Sequence, residues 1–394
     1  MNKCIEIDLS AIRHNLGLIK KSLNREVKLM AVVKADAYGH GAVEISRVAL
    51  REGAAMLGVL GLDEALELRK AGIKAPIAML GAALPGEAGE IVRNSIIPTV
   101  DSLAFLSALN KAVSSLSSYN EFRSALNSKL SALHYSYYLD LNYGLARWGI
   151  EPSGLKSFLK KSEKFKKTGL AGVSTHLDYV PGKNAVEVEE KLPLFQRSAE
   201  TVRQYYPGAI RHAANSSILR DFPHWQLDMV RIGNLMYGIH PSATHGVKPK
   251  DELTGFKNPW KFLARITSVR PVKAGESVGY ASEYIAPRNM KVACVPAGYA
   301  DGVTLSPAER FIRLRGAFRF WGMMKGHKPP TQSFRDGGPP EAGHLHQTPF
   351  VGRCGIAHTL LDVTDVPGVK VGDVVHLPIR RTAASFRIPR IYKG

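Results

Sequence analysis

Leu29-Met30-Ala31-Val32-Val33-Lys34-Ala35-Asp36-Ala37-Tyr38-Gly39-His40-Gly41 is the stretch whose reading decides the fold. Its first five residues are an apolar run that reads as a buried strand. Lys34 stands at the C-terminal end of that strand. Small residues, one tyrosine and two glycines follow, and a helical pattern begins near Ala42. A lysine at the mouth of a buried strand has two readings. Its long side chain can snorkel into water. Burial can instead lower its pKa and leave a neutral amine, which forms Schiff bases with carbonyls. Position alone leaves both open.

Outward from this stretch, apolar runs alternate with helical patterns. Residues 55–59, 76–80 and 95–100 read as strands, and 42–52, 62–71, 90–94 and 102–112 as helices. Ahead of them, residues 4–8 read as a short strand and 11–23 as a helix. Such alternation implies βα units and a parallel sheet. Continued through Leu139-Asp140-Leu141, Gly172-Val173-Ser174 and His212-Ala213-Ala214, it supplies about eight strands by Tyr237. The fold class expected is α/β, a TIM-type (β/α)8 barrel over residues 1–240, with functional groups at the strand C-termini. Beyond Tyr237 the texture changes. Strands at 264–269 and 291–295 have no helix between them, so residues 241–394 read as a mainly-β domain. Within it, residues 315–349 fit no strong period and are rich in Pro and Gly, which reads as a loop-rich insertion. The stretch 114–129 is Ser/Asn-rich and reads as a loop and helix surface.

The chain has 394 residues, enough for two domains with full cores, and 45% hydrophobic residues, ordinary for a globular protein. No run of about 18 apolar residues marks a membrane span, and the N-terminus lacks the apolar core of a signal peptide. Cys4, Cys294 and Cys354 are scattered without metal-ligand spacing, which suits a reducing cytoplasm. His344 and His346 lack an evident third ligand, so no metal site is expected. The formal charge is +19, and from Arg310 onward 14 Lys/Arg stand against 5 Asp/Glu. A basic chain can bind polyanions. The basic clusters at 156–167 and 310–328 carry no nucleic-acid-binding signature, and no specific nucleic-acid partner is expected.

The string around Lys34 resembles the pyridoxal-phosphate (PLP) lysine motif of the alanine racemases. Further motifs follow in that family's order: Glu6-Ile7-Asp8-Leu9-Ser10, Ala214-Asn215-Ser216, Val230-Arg231-Ile232-Gly233, Gly279-Tyr280, Gly298-Tyr299-Ala300-Asp301-Gly302 and Val351-Gly352-Arg353. The resemblance covers most of the chain and thins after about Ser306. It implies a fold type III, PLP-dependent amino-acid racemase, cytoplasmic and homodimeric, with a small amino acid as substrate. Racemisation needs a base on each face of the α-carbon. The resemblance assigns Lys34 as cofactor lysine and base, and Tyr280, supplied across the dimer, as the second base. It assigns Tyr38, Asn215, Ser216, Gly233 and Asn234 to the cofactor phosphate, although the family usually has isoleucine at the position of Asn234. Asn215-Ser216 also closes a strand and opens a helical pattern, which turns backbone N–H groups toward an anion. Arg231 matches the arginine facing the pyridine nitrogen, His176 a histidine near the cofactor ring, and Arg147 the arginine near the phenolic oxygen and substrate carboxylate. Tyr299 lines the entrance, and Ile356 takes a substrate-contacting position.

The match has gaps. Many family members carry a carbamylated lysine seven residues before the arginine that Arg147 matches; here Asp140 stands there. Its carboxylate is expected to orient Arg147 directly. Ile356 and Ala357 replace a methionine and an Asp or Asn. Gly302-Val303-Thr304-Leu305 lacks a Pro-Arg pair, and a segment carrying a phosphate-directed tyrosine is missing before Tyr392. The implied reaction is interconversion of L- and D-alanine, with D-alanine serving cell-wall synthesis. Two alternatives stay open: a racemase of serine or a basic amino acid, and a degenerate PLP-binding protein.

Overall fold

The computed structural model describes residues 1–115, 135–242, 253–279, 282, 284–303, 331–335, 345–377, 379 and 381–394. Tyr280 and most of the Ser/Asn-rich stretch lie outside the described residues. Two compact units divide the chain, Leu9–Asn258 and, together, Met1–Asp8 with Pro259–Gly394. The division therefore falls later than residue 240, and the first strand belongs with the C-terminal residues.

That first strand is β1 (Lys3–Asp8). It pairs antiparallel with Trp260–Arg265 and parallel with Arg390–Lys393, inside a six-stranded sheet. The reason is visible in its pattern. Ile5 and Ile7 point inward while Glu6 and Asp8 are less buried. That alternation belongs to a sheet with one covered face, whereas a parallel barrel strand is buried on both. Lys3 Nζ donates to both oxygens of Asp301 at 2.8 Å, an ion pair internal to this unit.

Eight parallel strands form the sheet of the larger unit: β2 (Lys28–Val32), β3 (Met56–Val59), β4 (Ile77–Ala82), β5 (Ile96–Val100), β6 (Tyr135–Asp140), β7 (Thr168–Ser174), β8 (Ile210–His212) and β9 (Met229–Ile232). Sequential strands are neighbours from β2 to β8, and β9 returns beside β2. At the remaining seam, Asp228 N–H donates to Arg211 C=O at 3.1 Å and Arg231 N–H to Ala214 C=O at 2.9 Å. The result is a nearly closed barrel. Helices such as Ala42–Arg51, Leu62–Lys70, Leu103–Ser115 and Ala185–Tyr205 connect the strands.

All eight barrel strands contribute to one apolar cluster: Met30, Met56, Ala78, Leu80, Ile97, Tyr138, Ala171, Ile210 and Met229. Large and small residues alternate so that the interior fills. A Cβ on Gly58 would stand 2.9 Å from Met30 Sδ, and one on Gly172 2.9 Å from the Tyr138 ring. Glycine at these two positions makes room for the bulky neighbours. The interior is thus a packed plug, and polar chemistry is confined to the strand ends.

In the β-rich unit, Ser268–Val272, Met290–Val295 and Thr359–Asp362 form a three-stranded antiparallel sheet. The stretch read as one strand at 264–269 is split at residues 266–267 between two sheets. The stretch expected to be loop-rich contains the paired strands Thr331–Arg335 and Leu345–Pro349. Ser277–Val278 and Tyr284–Ile285 pair as a hairpin. Among the described residues no helix is long and apolar enough to cross a membrane.

Candidate active site

Lys34 follows β2 at the C-terminal end of the barrel. It is half-buried, and among the described residues its ammonium makes no hydrogen bond and no ion pair. Burial lowers its pKa, the Arg147 and Arg231 charges lower it further, and Glu64 opposes them. The lysine is therefore desolvated without a hydrogen-bonded partner among the described residues, a condition that shifts it toward the neutral amine.

The backbone after Lys34 is unusual. Residues Lys34–Gly39 form a helical turn, but Ala35, Asp36, Ala37 and Tyr38 have φ of 52°, 52°, 52° and 57°, which makes the turn left-handed. Each such residue costs about 1–2 kcal/mol. Local bonds offset this cost. Ala37 N–H donates to Val33 C=O at 2.8 Å, Gly41 N–H to Asp36 C=O at 3.0 Å, and Ala42 N–H to Asp36 Oδ1 at 2.8 Å. The turn carries Tyr38 toward Gly233, the residue after β9. A Cβ on Gly233 would stand 2.6 Å from the Tyr38 hydroxyl. Only glycine leaves the hydroxyl in that place. Burial and Glu64 push the Tyr38 pKa up to about 12, so it remains a donor at neutral pH. Tyr237 supports the turn from below, its ring 4.9 Å from Tyr38 and stacked on His40, its hydroxyl donating to Val32 C=O at 2.9 Å.

Arg231, on β9, is 5% exposed. One guanidinium nitrogen donates to His212 Nδ1 at 2.8 Å and His212 C=O at 2.6 Å, the other to Thr175 C=O at 2.6 Å and Ala213 C=O at 3.4 Å. No carboxylate pairs with it within 4 Å among the described residues. Burial lowers its pKa to about 10, which still leaves it protonated at neutral pH. His212 accepts at Nδ1, so its proton sits on Nε2, which has no hydrogen-bond partner among the described residues. Burial and Arg231 lower the His212 pKa and keep the ring neutral. Sequence reading placed His212 on a strand but gave it no role. Its position just ahead of Ala214-Asn215-Ser216 was the available signal.

Asn215 caps the helix Ser216–Asp221. Its side-chain oxygen accepts from Ser217 N–H at 2.9 Å and Ile218 N–H at 3.0 Å. Those two amides are therefore already engaged. Ser216 Oγ accepts from Leu235 N–H at 3.3 Å, which ties the cap to the Gly233-Asn234 turn. His176 lies half-buried just past the end of β7.

Asp140 ends β6, is 8% exposed, and accepts from Ser174 Oγ at 2.6 Å. The direct bond expected from Asp140 to Arg147 is not formed. Arg147 is exposed and lies over the Trp148 ring, 4.3 Å from its centroid. The loop bearing Arg147 closes at its base, where Ile150 N–H donates to Asp140 C=O at 2.8 Å and Asn142 N–H to Ile150 C=O at 3.0 Å. The aspartate carboxylate instead accepts from Ser174 Oγ. It acts on Arg147 and Arg231 only through space.

In the β-rich unit, Tyr299 N–H donates to Gly355 C=O and Ala300 N–H to Ile356 C=O, both at 3.0 Å. This brings Tyr299 and Ile356 together, with the Ile356 carbonyl already in use. Tyr299 and Ile356 are 48% and 63% exposed. A Cβ on Gly298 would fall 2.3 Å from Gly355 O, so the turn requires glycine there.

A parallel barrel whose C-terminal mouth gathers a half-buried lysine, a buried arginine and a tyrosine hydroxyl has the layout of the barrel enzymes, whose functional groups stand at the strand C-termini. Comparison with known proteins narrows this. The family model of the alanine racemase N-terminal domain matches residues 7–241, and that of the C-terminal domain residues 260–320. The alanine racemase of Desulfosudis oleivorans is 33% identical over 381 residues, covering 94% of this chain and 85% of its own length. Among solved structures, the alanine racemase of Clostridium difficile 630 superposes with a TM-score of 0.81 at 24% identity, covering 100% of this chain and 96% of that one. That of Bartonella henselae, solved with covalently bound pyridoxal phosphate, gives 0.73 at 22% identity and covers 100% of both chains. The chain belongs to the alanine racemase family, and with it to the amino-acid racemases.

Proposed function

We propose that this chain interconverts L- and D-alanine with PLP held at Lys34, in a homodimer whose active sites are shared. The observation that carries the reading is a half-buried lysine that has no hydrogen-bond or ion-pair partner among the described residues, at the mouth of a barrel whose neighbouring arginine is hydrogen-bonded. The donor set fits the cofactor. The Tyr38 hydroxyl and the Gly233 backbone offer a close approach to a phosphate, and Arg231 is protonated and unneutralised. Bound there, PLP would supply the electron sink that acidifies an amino acid's α-proton.

The chain's own residues then divide the work. Lys34 Nζ takes or returns the α-proton on one face, and Tyr280 of the partner subunit serves the other. Arg231 keeps its proton, so a pyridine nitrogen against it stays unprotonated and the electron sink remains moderate. Arg147 collects the substrate carboxylate, and His176, Asn215, Ser216 and Asn234 complete the cofactor's surroundings. Tyr299 and Ile356 bound the entrance to the small substrate. A supply of D-alanine for the cell wall, made in the cytoplasm, is the implied role.

The test is incubation of the holoenzyme with L-alanine in heavy water. α-Proton exchange accompanied by D-alanine is expected. Exchange with full retention would remove the second base, and no exchange with PLP bound at Lys34 would remove alanine as substrate.

A further inference from the structure

We propose that Glu64 is the positioning residue for Lys34: one carboxylate, reaching from a neighbouring helix, fixes the left-handed turn that presents the lysine. The geometry is direct. Glu64 lies in the first turn of the helix Leu62–Lys70. Its Oε1 accepts from Ala35 N–H and its Oε2 from Leu60 N–H, each at 2.6 Å. Ala35 is the residue after Lys34 and the first of the four with positive φ. Leu60 is the residue after β3, the strand beside β2. A single side chain therefore ties together two adjoining strand ends at the barrel mouth. Such bonds to an ionised carboxylate are the strong ones.

A glutamate in a first helical turn ordinarily serves its own helix. Here only the Leu60 bond is local to that helix. The Ala35 bond crosses to another strand end and holds a backbone conformation that alanine does not choose. Asp63, exposed in the same turn, is the natural comparison, because it shares the helix position without reaching Ala35. Glu64 is also the acidic group acting on Lys34, against Arg147 and Arg231. Loss of its charge would leave the lysine facing cations alone.

The proposal rests on Lys34 being the reactive lysine, but its test is made first on the PLP-free protein. Lys34 is acetylated with acetic anhydride over a range of pH and read by peptide mass spectrometry, and amide hydrogen exchange is followed over residues 35–38. In Glu64→Gln, an amide offers one acceptor oxygen and directs N–H at the other donor. Exchange over residues 35–38 is expected to quicken by about tenfold or more, the equivalent of one charged hydrogen bond. The Lys34 labelling midpoint is expected to move to lower pH. Asp63→Asn should change neither. Glu64→Asp, which keeps the charge but is one methylene shorter, should quicken exchange while shifting the labelling midpoint less. It also serves should Glu64→Gln fail to fold. Unchanged exchange and labelling in a folded Glu64→Gln protein, even with a lowered Tm, would reduce Glu64 to a helix cap and overturn the proposal. Borohydride reduction of the PLP-loaded wild type separates the two ideas. If no reduced cofactor is found on Lys34, the functional reading fails whatever Glu64 does.

Discussion

Lys34 follows β2 and Arg231 lies on β9, the strand hydrogen-bonded to β2, and the chain treats these two basic residues in opposite ways. Arg231 has four acceptors among the described residues, three carbonyls and an imidazole nitrogen. Lys34 has none among the described residues. Both are withdrawn from water, so both incur desolvation, but only the arginine is compensated. An arginine so held is fixed in place and keeps its charge. A lysine without such bonds has its pKa lowered by burial and by the Arg147 and Arg231 charges, with Glu64 opposing. In the proposed reaction the two residues divide the roles of immobile cation and reacting base.

Replacing each residue gives the widest test of that contrast. Lys34→Ala is expected to lower turnover by at least about 10³-fold, the scale of losing a positioned base, while leaving urea stability unchanged or raised. Arg231→Met is expected to lower stability by roughly 3–5 kcal/mol, because the His212 and Thr175 carbonyls and the His212 imidazole lose their donor in a dry site. Equilibrium urea unfolding and steady-state turnover, measured on both variants, decide the matter. Equal destabilisation by the two substitutions would break the comparison, since it would mean that Lys34 has an unseen structural partner.

Much of the barrel was legible because its strands are short apolar runs separated by helical faces. The strands at 56–59, 77–82 and 96–100 fall where the apolar runs place them. The count of eight strands was right, but its membership was not. β1 was counted in, although its alternation of Ile5 and Ile7 with acids marks a sheet with one covered face. β9 was not counted, although it carries Arg231. A five- or six-residue strand does not declare its partner, and only pairing across the chain decides it. At the site, Lys34 was legible from its string of neighbours. The left-handed turn was not, because Ala35, Ala37 and Tyr38 have no preference for positive φ. Its bonds come from Glu64 on another helix, to Ala35 N–H, and from Asp36 within the loop, to Ala42 N–H. The expected Asp140–Arg147 bond failed for a similar reason. Sequence shows which charges are near in the chain, but the intervening loop determines their separation.

Asp140 sharpens the comparison at the smallest scale, because its charge reaches Arg231 without touching it. Burial is the main cause of its pKa rising to about 6 from 3.8, with the Ser174 bond and the two arginines opposing. The folded protein therefore binds more protons than the unfolded chain between about pH 4 and pH 6. Stability attributable to this group must fall as pH rises through that window, and the loss is complete above it. A shift of this size corresponds to at most about 3 kcal/mol. Asp140→Asn can keep an acceptor for Ser174 Oγ, and it removes the charge that burial penalises. It also removes the attraction to Arg231 and Arg147, so a net gain of about 1–2 kcal/mol is expected at pH 8, with little change at pH 4. Urea unfolding of wild type and variant at both pH values measures this directly. A variant less stable than wild type at pH 8 would mean that the through-space attraction outweighs desolvation. Arg231 would then have to be counted as compensated by a carboxylate after all, and its contrast with Lys34 would rest on an ion pair rather than on carbonyl oxygens.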